Sequence, residues 1–153
     1  MKRGSSRRSE KAGTPPCTGR ALTSAGEAEV TGTAVVSPQP LTFLGFLNRR
    51  TGLVEQRGHP LFGESVAGKI LVFPRGIGST VGPYVLLEMQ ANGVAPIGMV
   101  MHRGDLGTIA AASVARIPLV YDAAPDPTKQ FVSGEVLLLR SKGGKGAVSK
   151  TEV

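Results

Sequence analysis

Two short apolar runs, KILVF at Lys69–Phe73 and APIGMVM at Ala95–Met101, constrain this chain more than any other feature. Each is too short to be a helix and reads as a strand buried on both faces. Between them lie a glycine-rich turn, Pro74–Gly82, and a helical stretch, Tyr84–Asn92. Pro83 suits the first turn of that helix, where its missing N–H would be unpaired anyway. Asn92–Gly93 is a stop, because glycine takes positive φ readily. Strand, helix and strand within about 30 residues make a βαβ unit with parallel strands and a right-handed crossover.

The other segments extend this unit into one domain. VTGTAVV at Val30–Val36 reads as an earlier strand, and IPLVY at Ile117–Tyr121 and EVLLLR at Glu135–Arg140 as later ones. Pro118 argues for a strand start or an edge position. Asp105–Ala115 is alanine-rich behind an acidic first position and reads as a second helix, followed by a loop at Ala124–Thr128. Pro38–Phe46 is apolar but broken by Pro and Gly, so it is expected to pack against the body or a partner. Thr51–Gly52 and His59–Gly63 read as turns, with Leu53–Gln56 a possible edge strand. With 5% aromatic residues and no Trp, the core must come from Val, Leu, Ile and Ala. The expected fold class is α/β: a mixed sheet curled toward a barrel, with two helices. The expected organisation is a disordered basic arm at 1–27, a folded body at 28–141 and a flexible tail at 142–153.

The formal charge of +7 suggests a nucleic-acid partner until it is mapped. Residues 1–20 carry +5 and residues 140–153 carry +3, leaving −1 for everything between. A basic body is what nucleic-acid binding normally requires, so nucleic acid is not the expected partner. The single Cys17 can neither form an internal disulfide nor hold a metal cluster alone. No apolar run approaches the ~18 residues of a membrane helix, and Met1–Arg20 has no secretory h-region. A cytoplasmic, membrane-free protein is expected.

The chemistry concentrates at Ser79. Gly76-Ile77-Gly78-Ser79-Thr80-Val81-Gly82 lacks the Gly-Lys-Ser/Thr ending of a P-loop and the spacing of a dinucleotide fingerprint. A glycine turn ahead of a helix still offers unpaired N–H donors and partial positive charge to an anion. A serine held there acts as a base only if such donors stabilise its alkoxide, at about 3–4 kcal/mol each in an oxyanion-hole setting. The plainer reading makes Ser79 or Thr80 the N-cap of the helix, worth about 1 kcal/mol. Arg75 suits an anionic substrate, a partner carboxylate or solvent equally well. His59 reads as a turn residue, His102 as either a surface residue or one lining a site at the carboxyl end of its strand, and Glu88 as part of a solvated helix face. Without paired carboxylates or a His/Cys cluster, the chain lacks the parts for catalysis alone.

GHPLFGESVAGKILVFPRGIGSTVGPYVLLEMQANGVAPIGMVM at Gly58–Met101 resembles the small, swivelling-domain subunit of the aconitase X family. PLTFLGFLNRRTGLV at Pro40–Val54 and ARIPLVYD at Ala115–Asp122 look like further blocks of it. The joint occurrence of HPL, GKILVFPRG, GS and NGVAP is far more specific than any one of these, and the resemblance covers roughly residues 28–140. It implies a swivelling β/β/α domain that works with a large subunit carrying an iron–sulfur cluster of the 4Fe–4S type, this chain binding none itself. It also implies a hydro-lyase acting on a small anionic hydroxy acid. (R)-5-phosphomevalonate is the favoured substrate, placing the chain in a modified mevalonate route to isoprenoids, and cis-3-hydroxy-L-proline is the alternative. The family's proton acceptor maps onto Ser79, with Gly78, Thr80 and Arg75 as substrate-binding neighbours. Pro83 stands where the family leads one to expect a small polar residue, and the basic arm is outside the family pattern. A non-catalytic interaction module of the same fold is the competing reading.

Overall fold

A computed structural model of the chain describes residues 15–22, 27–77 and 82–151; the expectations for Gly78, Ser79 and Thr80 therefore lie outside the described residues. Strands β1 (Cys17–Ala21), β2 (Ala28–Val36), β3 (Ile70–Phe73), β4 (Gly98–Met101), β5 (Leu119–Ala124), β6 (Val136–Lys142) and β7 (Lys145–Lys150) close into a barrel in the order β1-β5-β4-β3-β2-β6-β7. The β2–β3, β3–β4 and β4–β5 pairs are parallel and the others antiparallel. Of the three crossovers that these parallel connections require, the irregular segment 37–69 makes the first, and helices α1 (Gly82–Ala91) and α2 (Leu106–Ala115), which pack on each other, make the second and third.

Every residue of β3 and β4 is buried, as their unbroken apolar runs require. Alternation sends their side chains into two different cores. Leu71, Phe73, Met99 and Met101 face a layer completed by Val85, Leu86 and Met89 of α1 and Ala111, Ala112 and Ala115 of α2. Ile70, Val72 and Val100 face the barrel interior, with Ala34, Val120, Leu137, Leu139 and Val148. The small side chains of α2 suit its close packing on α1. The irregular segment 37–69 belongs to the outer layer: Leu41, Phe43, Phe46 and Leu47 are all at most 5% exposed, and Phe43 meets Phe73 edge-on with ring centres 6.0 Å apart. Of the two destinations expected for Pro38–Phe46, the body rather than a partner receives these side chains. Leu53 and Val54 make only isolated bridges, to Ser65 and Leu47.

The structure corrects three expectations. The stretch 1–27 is not structureless throughout: β1 pairs with both β5 and β7 and places Cys17 inside the barrel. There the thiol donates to the Pro125 carbonyl at 3.0 Å, and burial, with Asp126 adding to it, pushes it up to about 11. Nor is 142–153 only a tail, since β6 and β7 form a hairpin across Gly143–Gly144 with φ of +61° and +82°. Two consecutive positive-φ residues are what a tight two-residue hairpin turn needs. Its Gly/Lys/Ser composition looks like a linker, but β7 buries alternate residues, Gly146 and Val148, within the barrel. Finally, the described residues of the body form three helices rather than two. Pro127–Gln130 forms a one-turn helix, α3, with Asp126 accepting from the Thr128 N–H and Pro127 opening the turn.

His59 is a turn residue, as expected, but a buried one. Its Nδ1 accepts from the Leu61 N–H at 3.0 Å, so the proton sits on Nε2, which donates to Ser37 Oγ at 3.2 Å. The Ser37 hydroxyl in turn donates to the Gln39 carbonyl at 2.8 Å. A second ring proton would oppose the Leu61 N–H, and burial holds the imidazole below its ordinary value of 6.5. The pair is thus a fastening for the 37–61 segment rather than a nucleophile and base.

Two outcomes follow from this architecture. Deleting residues 145–153 removes the strand that joins β1 to β6 and should abolish the cooperative thermal transition; a tail would leave the Tm unchanged. Because the His59 pKa is depressed on folding, the unfolded chain takes the proton first as pH falls. The stability His59 confers is therefore complete above about pH 6.5 and lost below it, by up to about 1.4 kcal/mol per pH unit. Urea titrations at pH 7.5 and 5.5 should show this loss in the wild type. The loss should shrink in His59→Asn, whose carbonyl oxygen can still accept from Leu61; an identical loss in both proteins would contradict the assignment.

Candidate active site

The carboxyl ends of β3, β4 and β5 lie side by side, and the chain leaves β3 through Pro74, Arg75, Gly76 and Ile77. Parallel open sheets place ligands at such ends. The exit is held on every side. Beyond β4, the His102 N–H donates to the Phe73 carbonyl at 3.3 Å and the Arg103 N–H to the Pro74 carbonyl at 2.9 Å. From the 37–69 segment, the Leu41 N–H donates to the Arg75 carbonyl at 3.0 Å and the Leu41 carbonyl accepts from the Ile77 N–H at 2.7 Å. From α2, the Asp105 carboxylate accepts the Gly76 N–H at 2.9 Å.

These contacts change one expectation about the turn. The N–H groups of Gly76 and Ile77 are both consumed inside the protein, so neither is open to an anion. The glycine at 76 is needed for proximity, not for an unusual φ. A Cβ there would fall inside contact distance of the Thr108 hydroxyl and 2.7 Å from Asp105 Oδ1. Four residues, 78–81, link this clamped exit to the first turn of α1 at Gly82. α1 begins two residues before the expected Tyr84 and ends one before Asn92; as expected, Pro83 lies in its first turn and Gly93 has φ of +72° beyond its end.

Among the predicted site residues that are described, Arg75 is exposed and makes no ion pair with a described residue. Its carbonyl is fixed by Leu41, so its guanidinium extends from an anchored backbone. His102 is half-buried at the end of β4. Its Nδ1 lies 2.8 Å from the Ala123 carbonyl and must donate to it, which leaves Nε2 as the ring's open position. His59 belongs to the 37–61 fastening and not to this site. Glu88 is exposed and pairs with Arg49 at 3.2 Å, a surface ion pair worth at most about 1 kcal/mol. The residue that sequence reasoning missed is Asp105, read only as a helix start; its second contact spans 29 positions of the chain and has no local signal.

The described residues do not fit a resident metal cluster. No three His, Cys, Asp or Glu side chains among them gather as a metal site would need, and the Cys17 thiol is closed inside the barrel. Likewise, no described helix is long and apolar enough to cross a membrane.

Comparison with known proteins agrees with this fold. The family model described as the aconitase X swivel domain matches residues 17–149, which includes β1 and nearly all of β7. The chain is 36% identical over 114 residues to the phosphomevalonate dehydratase small subunit of Methanocella arvoryzae, covering 74% of this chain and 86% of that one. To the protein of the same name from Archaeoglobus fulgidus it is 46% identical over 101 residues, covering 66% and 74%. The crystal structure of Thermococcus kodakaraensis aconitase X in its holo-form superposes with a TM-score of 0.76 at 32% identity, covering 90% of this chain and 99% of that one. The solution structure of a UPF0107 protein superposes with a TM-score of 0.75 at 34% identity, covering 90% and 100%. The family model that spans nearly the whole barrel, with the identity to these relatives, makes this chain a member of the aconitase X swivel domain family.

Proposed function

We propose that the chain is the small subunit of a hydro-lyase that dehydrates (R)-5-phosphomevalonate to trans-anhydromevalonate 5-phosphate, within a modified mevalonate route. The observation that carries this reading is the identity of 36–46% to proteins named phosphomevalonate dehydratase small subunit, across most of their length. The enzyme works in the cytoplasm as a hetero-oligomer with a large subunit.

Within that assembly Ser79 is the proton acceptor. As the alkoxide it takes the proton alpha to the substrate carboxylate while the hydroxyl departs from the neighbouring carbon, and the net loss is one water. A serine hydroxyl is a poor base unless its anion is stabilised. With Gly76 and Ile77 spent, the donors that do this come from the residues between Ile77 and the start of α1, where a helix also contributes partial positive charge. Gly78 and Thr80, which flank the base in the sequence, are substrate-binding residues. Arg75 meets an anionic group of the substrate from its exposed position at the clamped exit. An iron–sulfur cluster of the 4Fe–4S type on the large subunit supplies Lewis acidity toward the leaving hydroxyl.

The reading is tested by co-expressing the chain anaerobically with its large subunit and offering (R)-5-phosphomevalonate and cis-3-hydroxy-L-proline side by side. The wild-type pair should dehydrate the first compound and leave the second. Ser79→Ala should co-purify normally and lose at least about 10³-fold in kcat, the scale of an essential base together with its stabilised anion. Retained turnover in Ser79→Ala would remove the base role. A preference for the proline would reassign the substrate.

A further inference from the structure

We infer that Asp105 is a positioning residue for the base-bearing loop, acting through Gly76. Its two carboxylate oxygens do separate work. Oδ2 accepts the Thr108 N–H at 2.9 Å and caps α2, whereas Oδ1 accepts the Gly76 N–H at 2.9 Å, across 29 positions of the chain. Capping alone needs one oxygen, and serine or asparagine would serve nearly as well. Only a carboxylate presents two acceptors and no donor, which is what two converging N–H groups demand.

The loop exit depends on this contact more than its other bonds suggest. Leu41 grips Arg75 and Ile77 through its backbone, so the residue between them, Gly76, is held by Asp105. With no side chain, Gly76 has wide conformational freedom of its own. It is buried, and the space where a Cβ would sit is filled by the Thr108 hydroxyl and by Asp105 itself. The same two residues thus occupy the room into which the exit would otherwise relax and hold its N–H. Ser79 follows three positions later in the sequence, so the backbone that Asp105 holds is the one that leads to the proposed base. Small misplacements of a reacting group cost large factors in rate. The inference rests on the proposed role of Ser79.

Asp105→Ser separates the two jobs, because its single oxygen can cap the Thr108 N–H but cannot reach both donors. In the complex with the large subunit, it should lower kcat for (R)-5-phosphomevalonate roughly ten- to hundredfold with KM nearly unchanged. In the free chain, amide exchange by NMR should show Gly76 losing protection and the Ser79 amide resonance shifting, while Leu71, Val72 and Phe73 stay protected. Asp105→Asn, which keeps the side-chain volume but sets an NH2 against one of the two donors, should give a smaller loss of the same kind and covers the case in which the serine variant folds poorly. An unchanged kcat, a change confined to KM, or an unaltered Gly76 amide would each overturn the positioning role. If the wild-type complex turned over no substrate, the functional reading would fail separately. The Gly76 and Ser79 amides would still decide whether Asp105 orders the loop.

Discussion

Double burial of β3 and β4 is the constraint on which the rest of the structure depends. A strand apolar on both faces must have a core on each side, so the sheet has to be covered outside by α1 and α2 and filled inside by the remaining strands. Curling the sheet into a closed barrel achieves the second without leaving an exposed edge. The outer layer also recruits the 37–69 segment, which has little regular structure yet contributes Leu41, Phe43 and Phe46 to it. The backbone of that segment then holds the exit from β3. Core packing and site construction are in this way the same event: the residue that buries its side chain, Leu41, is the residue whose N–H and carbonyl clamp Arg75 and Ile77.

Much of this was legible in the sequence, and for identifiable reasons. KILVF and APIGMVM announce themselves because unbroken apolar runs of that length have few other uses. Pro83 and Asn92–Gly93 mark the ends of α1 through rules that act within a few residues. The strands β1 and β7 were not legible, because they carry few large apolar residues and β1 is held by partners far along the chain: Cys17 opposite Val148, and Thr18 opposite Ala124. Gly143–Gly144 did carry a hairpin signal, but the surrounding lysines and glycines read equally well as a linker. α3 was missed for the opposite reason, being so short that only Asp126–Pro127 marks it.

For the proposed site, sequence reasoning singled out the segment after β3 and misjudged part of its wiring. A glycine turn before a helix invites the idea that every N–H faces a ligand. Gly76 and Ile77 instead donate to Asp105 and Leu41, and stability of the exit takes precedence over donor supply. No pattern in the chain foretells that Asp105 reaches back to Gly76, because the contact exists only once β3 and β4 lie side by side. Arg75 remains as sequence reasoning left it, an exposed cation, now on a fixed backbone. His59 shows the converse error: a residue beside a proline in a turn looks peripheral, yet its ring is packed edge-on to Phe46 at 4.9 Å and fully committed to local hydrogen bonds.

The central claim is that this chain supplies an indispensable part of a two-subunit hydro-lyase, and add-back of the purified chain to its isolated large subunit tests it most directly. The rate of (R)-5-phosphomevalonate dehydration would be followed as the chain is titrated in under anaerobic conditions. The account predicts no turnover by the large subunit alone, and a rate that rises with added chain to a plateau at a fixed stoichiometry. Turnover by the large subunit without this chain, or a rate indifferent to its addition, would contradict it.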